Sequence, residues 1–113
     1  MGKDNNPLMA QRVKMVHTYR DISGHNGAPT STSATITTLT GAAITDDIGA
    51  IFCTNVGNVV MYAEPAGTAG TDSFPIPPGG YWEFCGTAAE LQLAQIYCAS
   101  TTTAGFMYRE VYQ

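Results

Sequence analysis

Side chains able to do chemistry are sparse in this chain of 113 residues, and their spacing gives most of them structural work. There are two histidines. His17 falls on the apolar face of an alternating segment, where a core or interface imidazole is expected. His25 lies in Gly24-His-Asn-Gly27, where a turn accounts for it. A cupin-type metal centre needs histidine pairs at close spacing plus a carboxylate, and a zinc site needs a comparable donor set; the sequence supplies neither. Asp46-Asp47 could meet a hard cation, but no further acid is near and a strand follows, so the pair is read as closing a turn. Gly67-Thr-Ala-Gly-Thr-Asp72 lacks the Lys and the helix of a phosphate loop, and no Gly-x-Ser-x-Gly elbow is present. Glu64, Glu83, Glu90 and Glu110 are scattered, with nothing to pair them for glycoside hydrolysis. The expectation is a protein that is not an enzyme and uses no metal or cofactor.

Two further sets of residues have a chemical and a structural reading. Tyr81-Trp82 could stack on a sugar ring, yet in an alternating strand one of the two must face the core, and Trp82 with Phe84 reads as the core side. Cys53, Cys85 and Cys98 each sit inside an apolar run without C-x-x-C spacing. They are expected to be buried free thiols that behave as small hydrophobes. A bridge would need strand neighbours with Cα atoms about 5.5 Å apart, and synthesis in a reducing cytoplasm fits unpaired cysteine.

The elements that must position these residues are short β-type runs separated by Gly, Pro and Thr-rich turns. Residues 1–12 read as an N-terminal arm, with Asn6-Pro7 able to start a short helix through Leu8, Met9 and Ala10. Val13, Met15, His17 and Tyr19 alternate with Lys14, Thr18 and Arg20, with Val16 as the exception, which predicts a first strand over 13–20. Residues 21–33 read as a polar loop, and Ala34–Leu39 as a Thr-rich strand near an edge. Thr40–Asp47 is a turn region. Ile48–Asn55 is apolar on both faces and reads as a central, buried strand. Gly57-Asn58 is a two-residue hairpin signal returning the chain through Val59–Ala63. Phe74–Gly80 is extended, with prolines that cannot donate to a ladder, and leads into the strand Tyr81–Cys85. Gly86–Glu90 reads as a single helical turn. A last hairpin is expected between Ala94–Ala99 and Phe106–Val111. About seven such strands predict one all-β domain over 13–113, an antiparallel β-sandwich of jelly-roll-like or Greek-key type, carrying the arm.

Composition narrows the class of function. Charged residues make up 12% of the chain against 44% apolar, about half the ~25% charged content usual for a soluble domain. Much of the surface is therefore expected to be covered by a partner or by copies of itself. Residues 1–20 hold Lys3, Arg12, Lys14 and Arg20 against Asp4, a net of +3; residues 21–113 hold Arg109 against eight acids, a net of −7, which together give the chain's −4. A basic arm on an acidic body follows, and Leu8, Met9, Arg12, Lys14 and Arg20 are the expected assembly contacts. No dense basic and aromatic cluster points to nucleic acid. No signal peptide is seen, and no run approaches the ~20 apolar residues of a membrane helix.

The runs AIFCTNVGNVVMYAEPAGTAGTDSFPIPPGGYWEF and LQLAQIYCASTTTAGFMYREV, spanning Ala50–Val111, resemble small β-sandwich virion proteins of tailed bacteriophages. The shared pattern is an Asn/Gly hairpin, a Pro-Gly turn into a strand, an Ile-x-x-Ala-Ser strand and a Thr/Gly connection into the last strand. The resemblance implies a non-enzymatic structural role. The leading form the resemblance implies is a capsid decoration or cement protein on the capsid surface, clamping neighbouring major-capsid subunits, most often as a trimer, and made in the host cytoplasm. A head–tail, tail or fibre component, or a carbohydrate-binding sandwich module, is the alternative.

Overall fold

Alternation and burial fix the central strand. Ile51, Cys53 and Asn55 turn inward and are fully buried, while Phe52 and Thr54 stand half-buried on the opposite face. This strand, β3 (Ile48–Asn55), has the bounds expected from sequence. The computed structural model describes the backbone of residues 18–112 and the side chains of residues 23–111. Around β3 lie β1 (Thr18–Gly27), β2 (Ala34–Thr35), β4 (Met61–Glu64), β5 (Phe74–Ile76), β6 (Tyr81–Cys85), β7 (Gln95–Cys98) and β8 (Ala104–Tyr112), with two short helices, α1 (Ile36–Thr40) and α2 (Ala88–Leu91).

The strands form two four-stranded antiparallel sheets ordered β1-β8-β3-β6 and β2-β7-β4-β5. The pairing is nested: β1 with β8, β2 with β7, β3 with β6 and β4 with β5. It describes one antiparallel ribbon, turned between β4 and β5 and rolled until β3 also meets β8 and β4 also meets β7. An all-β sandwich of jelly-roll type results, as the strand pattern predicts. Ile36, Ile51, Met61, Ile76, Leu91, Ile96 and Phe106 fill the space between the sheets. Tyr108 joins them; its hydroxyl donates to the Ala42 carbonyl at 2.9 Å and meets Thr40 Oγ1 at 2.9 Å. Burial pushes the pKa of that phenol up.

Several local expectations are corrected. β1 continues to Gly27, through residues read as loop, because β8 supplies a partner as far as Ala104 and a bulge at Ile22 absorbs the irregularity. His25 is therefore in a strand and not in a turn; its ring meets Tyr108 edge-on at 4.8 Å and its Nε2 lies 3.1 Å from Ser23 Oγ. Ala34–Leu39 yields only the two residues of β2 before α1 begins. There Thr35 caps the helix by accepting from Thr38 N–H, and Gly41 ends it in the left-handed region at φ 71°. Capping and the burial of Ile36 outweigh the strand preference of the threonines.

Both expected hairpins are absent from the described residues, because each connection crosses between sheets. β3 and β4 belong to different sheets, as do β7 and β8. Gly57 does not take a positive φ. It is needed for close approach, since a Cβ there would stand 2.1 Å from Thr102 Oγ1. The buried Asn55 side chain organises this corner. Its Nδ2 donates to the carbonyls of Val59 (2.7 Å) and Ile76 (2.9 Å), and its Oδ1 accepts from Gly57 N–H (3.1 Å) and Thr102 Oγ1 (2.9 Å). A single amide thus joins three connections, which replaces the turn chemistry of a hairpin.

Candidate assembly surface

Four large apolar side chains are exposed among the described residues: Val56 on the β3–β4 connection, and Phe74, Tyr81 and Leu93 on or around β6. β6 alternates as its sequence predicts. Phe84 is buried, Trp82 points inward and is half-buried, and Tyr81 stands outward, 67% exposed. On the outer face Tyr81 packs against Phe52 with ring centroids 5.1 Å apart, and the Arg109 guanidinium lies 5.2 Å from the Phe52 ring. Arg109 also donates to Glu83 Oε2 at 2.7 Å. Both partners are partly solvated, so the pair contributes at most about 1 kcal/mol and chiefly orients the two side chains. A shallow depression of about 300 Å³ adjoins Phe52, with Gly24 and Gly105 in its lining and Asn26 and Thr54 beside them.

On the side facing the second sheet, Trp82 stacks on Phe74 at 4.4 Å, and Phe74 is 51% exposed. The three-residue β5 begins at Phe74, opposite Ala63, so it covers β4 only as far as that residue. Beyond it a trough of about 440 Å³ opens beside β6, lined by Trp82, Phe84, Leu91 and Leu93, with Glu83 and Glu90 also among its lining residues. Leu93 is 57% exposed. Trp82 Nε1 is buried and has no acceptor among the described residues. An unmatched buried N–H is costly.

The remaining reactive groups are held apart. Glu90 closes a capping box with Thr87 at the start of α2. Glu64 accepts from Ser73 Oγ at 2.9 Å. Asp47 accepts from Thr45 Oγ1 through its side chain and from Val111 N–H through its carbonyl, so Asp46-Asp47 closes a turn. No group of three or more His, Cys, Asp and Glu that could hold a metal occurs among the described residues. All three cysteines are free. Cys53 and Cys98 are buried, but Cys85 is exposed, a correction to its reading as a core thiol. The reason is register: Cys85 lies opposite Ala50, on the outward-facing row of the sheet. Desolvation pushes the Cys53 thiol up to about 12.

Of the assembly residues expected from sequence, Leu8, Met9, Arg12 and Lys14 lie outside the described residues, as do His17 and the expected arm and strand start. Arg20 falls on β1 opposite Glu110. Phe74 and Leu93 were not expected as surface residues. The signal for Phe74 is Pro75 beside it, which confines β5 to an edge; Leu93 carries no comparable mark. Comparison of the chain with protein-family models, curated proteins and solved structures finds no match in any of the three.

Proposed function

We propose that this protein is a non-enzymatic structural subunit of a virion, a decoration or cement protein that bridges major-capsid subunits on the surface of a phage head. The observation that carries the reading is the set of large apolar side chains left open around β6, Tyr81 on its outer face and Phe74 and Leu93 on the side facing the second sheet, in a chain only 12% charged. A free monomer gains nothing from such exposure, whereas a subunit covered there in an assembly gains about 25 cal/mol for each Å² of apolar surface removed from water. A jelly-roll sandwich suits that work because its sheets hold both faces rigid. The acidic body and the basic first twenty residues give neighbouring subunits complementary charge. A trimer is the favoured association state.

The test is sedimentation with expanded heads of the phage that encodes the chain. Binding that saturates at a fixed ratio to capsid subunits is expected. A chain that stays in the supernatant at micromolar concentration overturns the reading. The Phe52–Tyr81 pair beside the Gly24–Gly105 depression favours a second reading, a carbohydrate-binding module, which predicts retention on an oligosaccharide array in the absence of any particle.

A further inference from the structure

Four strands lie at sheet edges, and three of them are blunted in ways that stop another chain from pairing. β1 carries a bulge at Ile22. β2 is two residues long, and β5 is three residues long with Pro75 at its centre. β6 differs: its five residues contain no proline and no lysine, and its register with β3 runs without a shift. Among the described residues only β3 pairs with it. The unblunted edge is also the one flanked by the apolar trough, which Trp82, Phe84, Leu91 and Leu93 line.

We propose that the free edge of β6 and its trough receive residues 8–16 of a second copy of this chain, added as a further strand. Met9, Val13 and Met15 fall on one face of such a strand and supply apolar side chains for the trough, with Arg12 and Lys14 on the other face. Arg12 and Lys14 bring positive charge to a body whose net charge is −7, against +3 for residues 1–20. A second copy is favoured over the chain's own arm by topology. β1, from which the arm leads, lies at the opposite edge of the same sheet, with β8 and β3 between it and β6. That places the origin of the arm about 14 Å from its own β6, across the strand ends. The proposal deepens the assembly reading by naming what covers the trough, but it needs no particle. Its failure would leave capsid binding open, and failure of capsid binding would leave it standing.

Cys85 is exposed at the trough and the other two thiols are buried, so the protein carries its own cross-linking handle. A chain with Met15→Cys and Cys85→Ser is mixed with differently tagged wild-type chain and treated with a short bis-maleimide. The expected product is a covalent heterodimer joined from residue 15 to Cys85, with a control cysteine at Asn58 giving none. A chain carrying Met15→Cys with Cys85 intact that links only within itself, or no link at all, overturns the proposal. Light scattering supplies a second measurement: Leu93→Glu should weaken self-association by about tenfold or more, since it places a carboxylate among apolar contacts and beside two others. Trp82 is the single tryptophan, so its emission should shift on dilution of the wild type and not of Leu93→Glu. A folded wild type that is monomeric at high micromolar concentration also overturns it.

Discussion

Replacing Asn55 by Ala strips a buried corner of four hydrogen bonds. Gly57 N–H keeps a bond to the Thr103 carbonyl at 3.1 Å. The carbonyls of Val59 and Ile76 and the hydroxyl of Thr102 lose the partner that Asn55 supplied. Thr102 is 4% exposed and Asn55 itself is fully buried, so water enters poorly. At about 1–3 kcal/mol for each buried group left unmatched, and allowing for some relaxation, the expected loss is about 3–5 kcal/mol. That is a large share of the roughly 5–15 kcal/mol that keeps a domain folded, and it corresponds to a fall in Tm of about 15–30 °C. Urea and thermal unfolding followed by far-ultraviolet circular dichroism and by Trp82 emission measure it. Thr102→Val, which removes one of the four bonds and keeps the shape, should cost only about 1 kcal/mol. Asn55→Asp should behave like the alanine variant at neutral pH, because a carboxylate cannot donate to two carbonyls, and should recover in part when acid protonates it. If Asn55→Ala loses no more than Thr102→Val, the amide does not hold the corner and the account of the crossing connections is wrong.

Three other outcomes are expected. Because the Cys53 thiol is raised from 9.0 to about 12 in the fold, the unfolded chain releases that proton first; the contribution is complete below pH 9 and is lost as pH rises toward 12. It amounts to about 4 kcal/mol by linkage. Cys53→Ala should flatten the alkaline limb of a stability–pH curve, while alkylation of the native protein should label Cys85 alone. Ile51→Ala should cost about 3–4 kcal/mol, since Ile51 is fully buried, and Phe52→Ala only about 1–2 kcal/mol, since Phe52 is half-buried on the outer face; equal losses in urea unfolding would contradict that placement. Thr35→Ala should lower stability by about 1 kcal/mol through loss of the α1 cap, with Thr35→Ser restoring most of it.

The strands with strong internal pattern were legible from sequence. Ile48–Asn55 and Tyr81–Cys85 have the observed bounds, because a period of two combined with aromatic and β-branched residues leaves few alternatives. The inward placement of Trp82 and Phe84 followed from the same alternation. Partnership was not legible. Gly57-Asn58 carries a turn signature, yet which strands join across it is decided by Asn55 reaching Val59, Ile76 and Thr102, contacts between positions up to 47 residues apart. Ala34–Leu39 is rich in residues that favour strands, and Thr35 and Gly41 turned its greater part into α1 through capping geometry visible only once both ends are placed. The trough beside β6 was hidden for a related reason: it exists because β5 is short, and strand length at an edge is set by pairing rather than by propensity.

Nested pairing also imposes an order in time. Ala63 meets Phe74 on the β4–β5 turn, whereas Thr18 meets Tyr112 at the open end of the ribbon. The intervening loops differ roughly eightfold in length, so closing the outer pair without the inner ones costs about 2 kcal/mol more in chain entropy. The inexpensive route zips outward from β4–β5, and a fold dominated by such distant pairings completes in milliseconds to seconds rather than microseconds. β1 is then the last strand to arrive. Until it does, the first twenty residues and the edge of β8 are both unoccupied, so nascent chains at high concentration have a brief interval in which meeting a neighbour competes with finishing the fold.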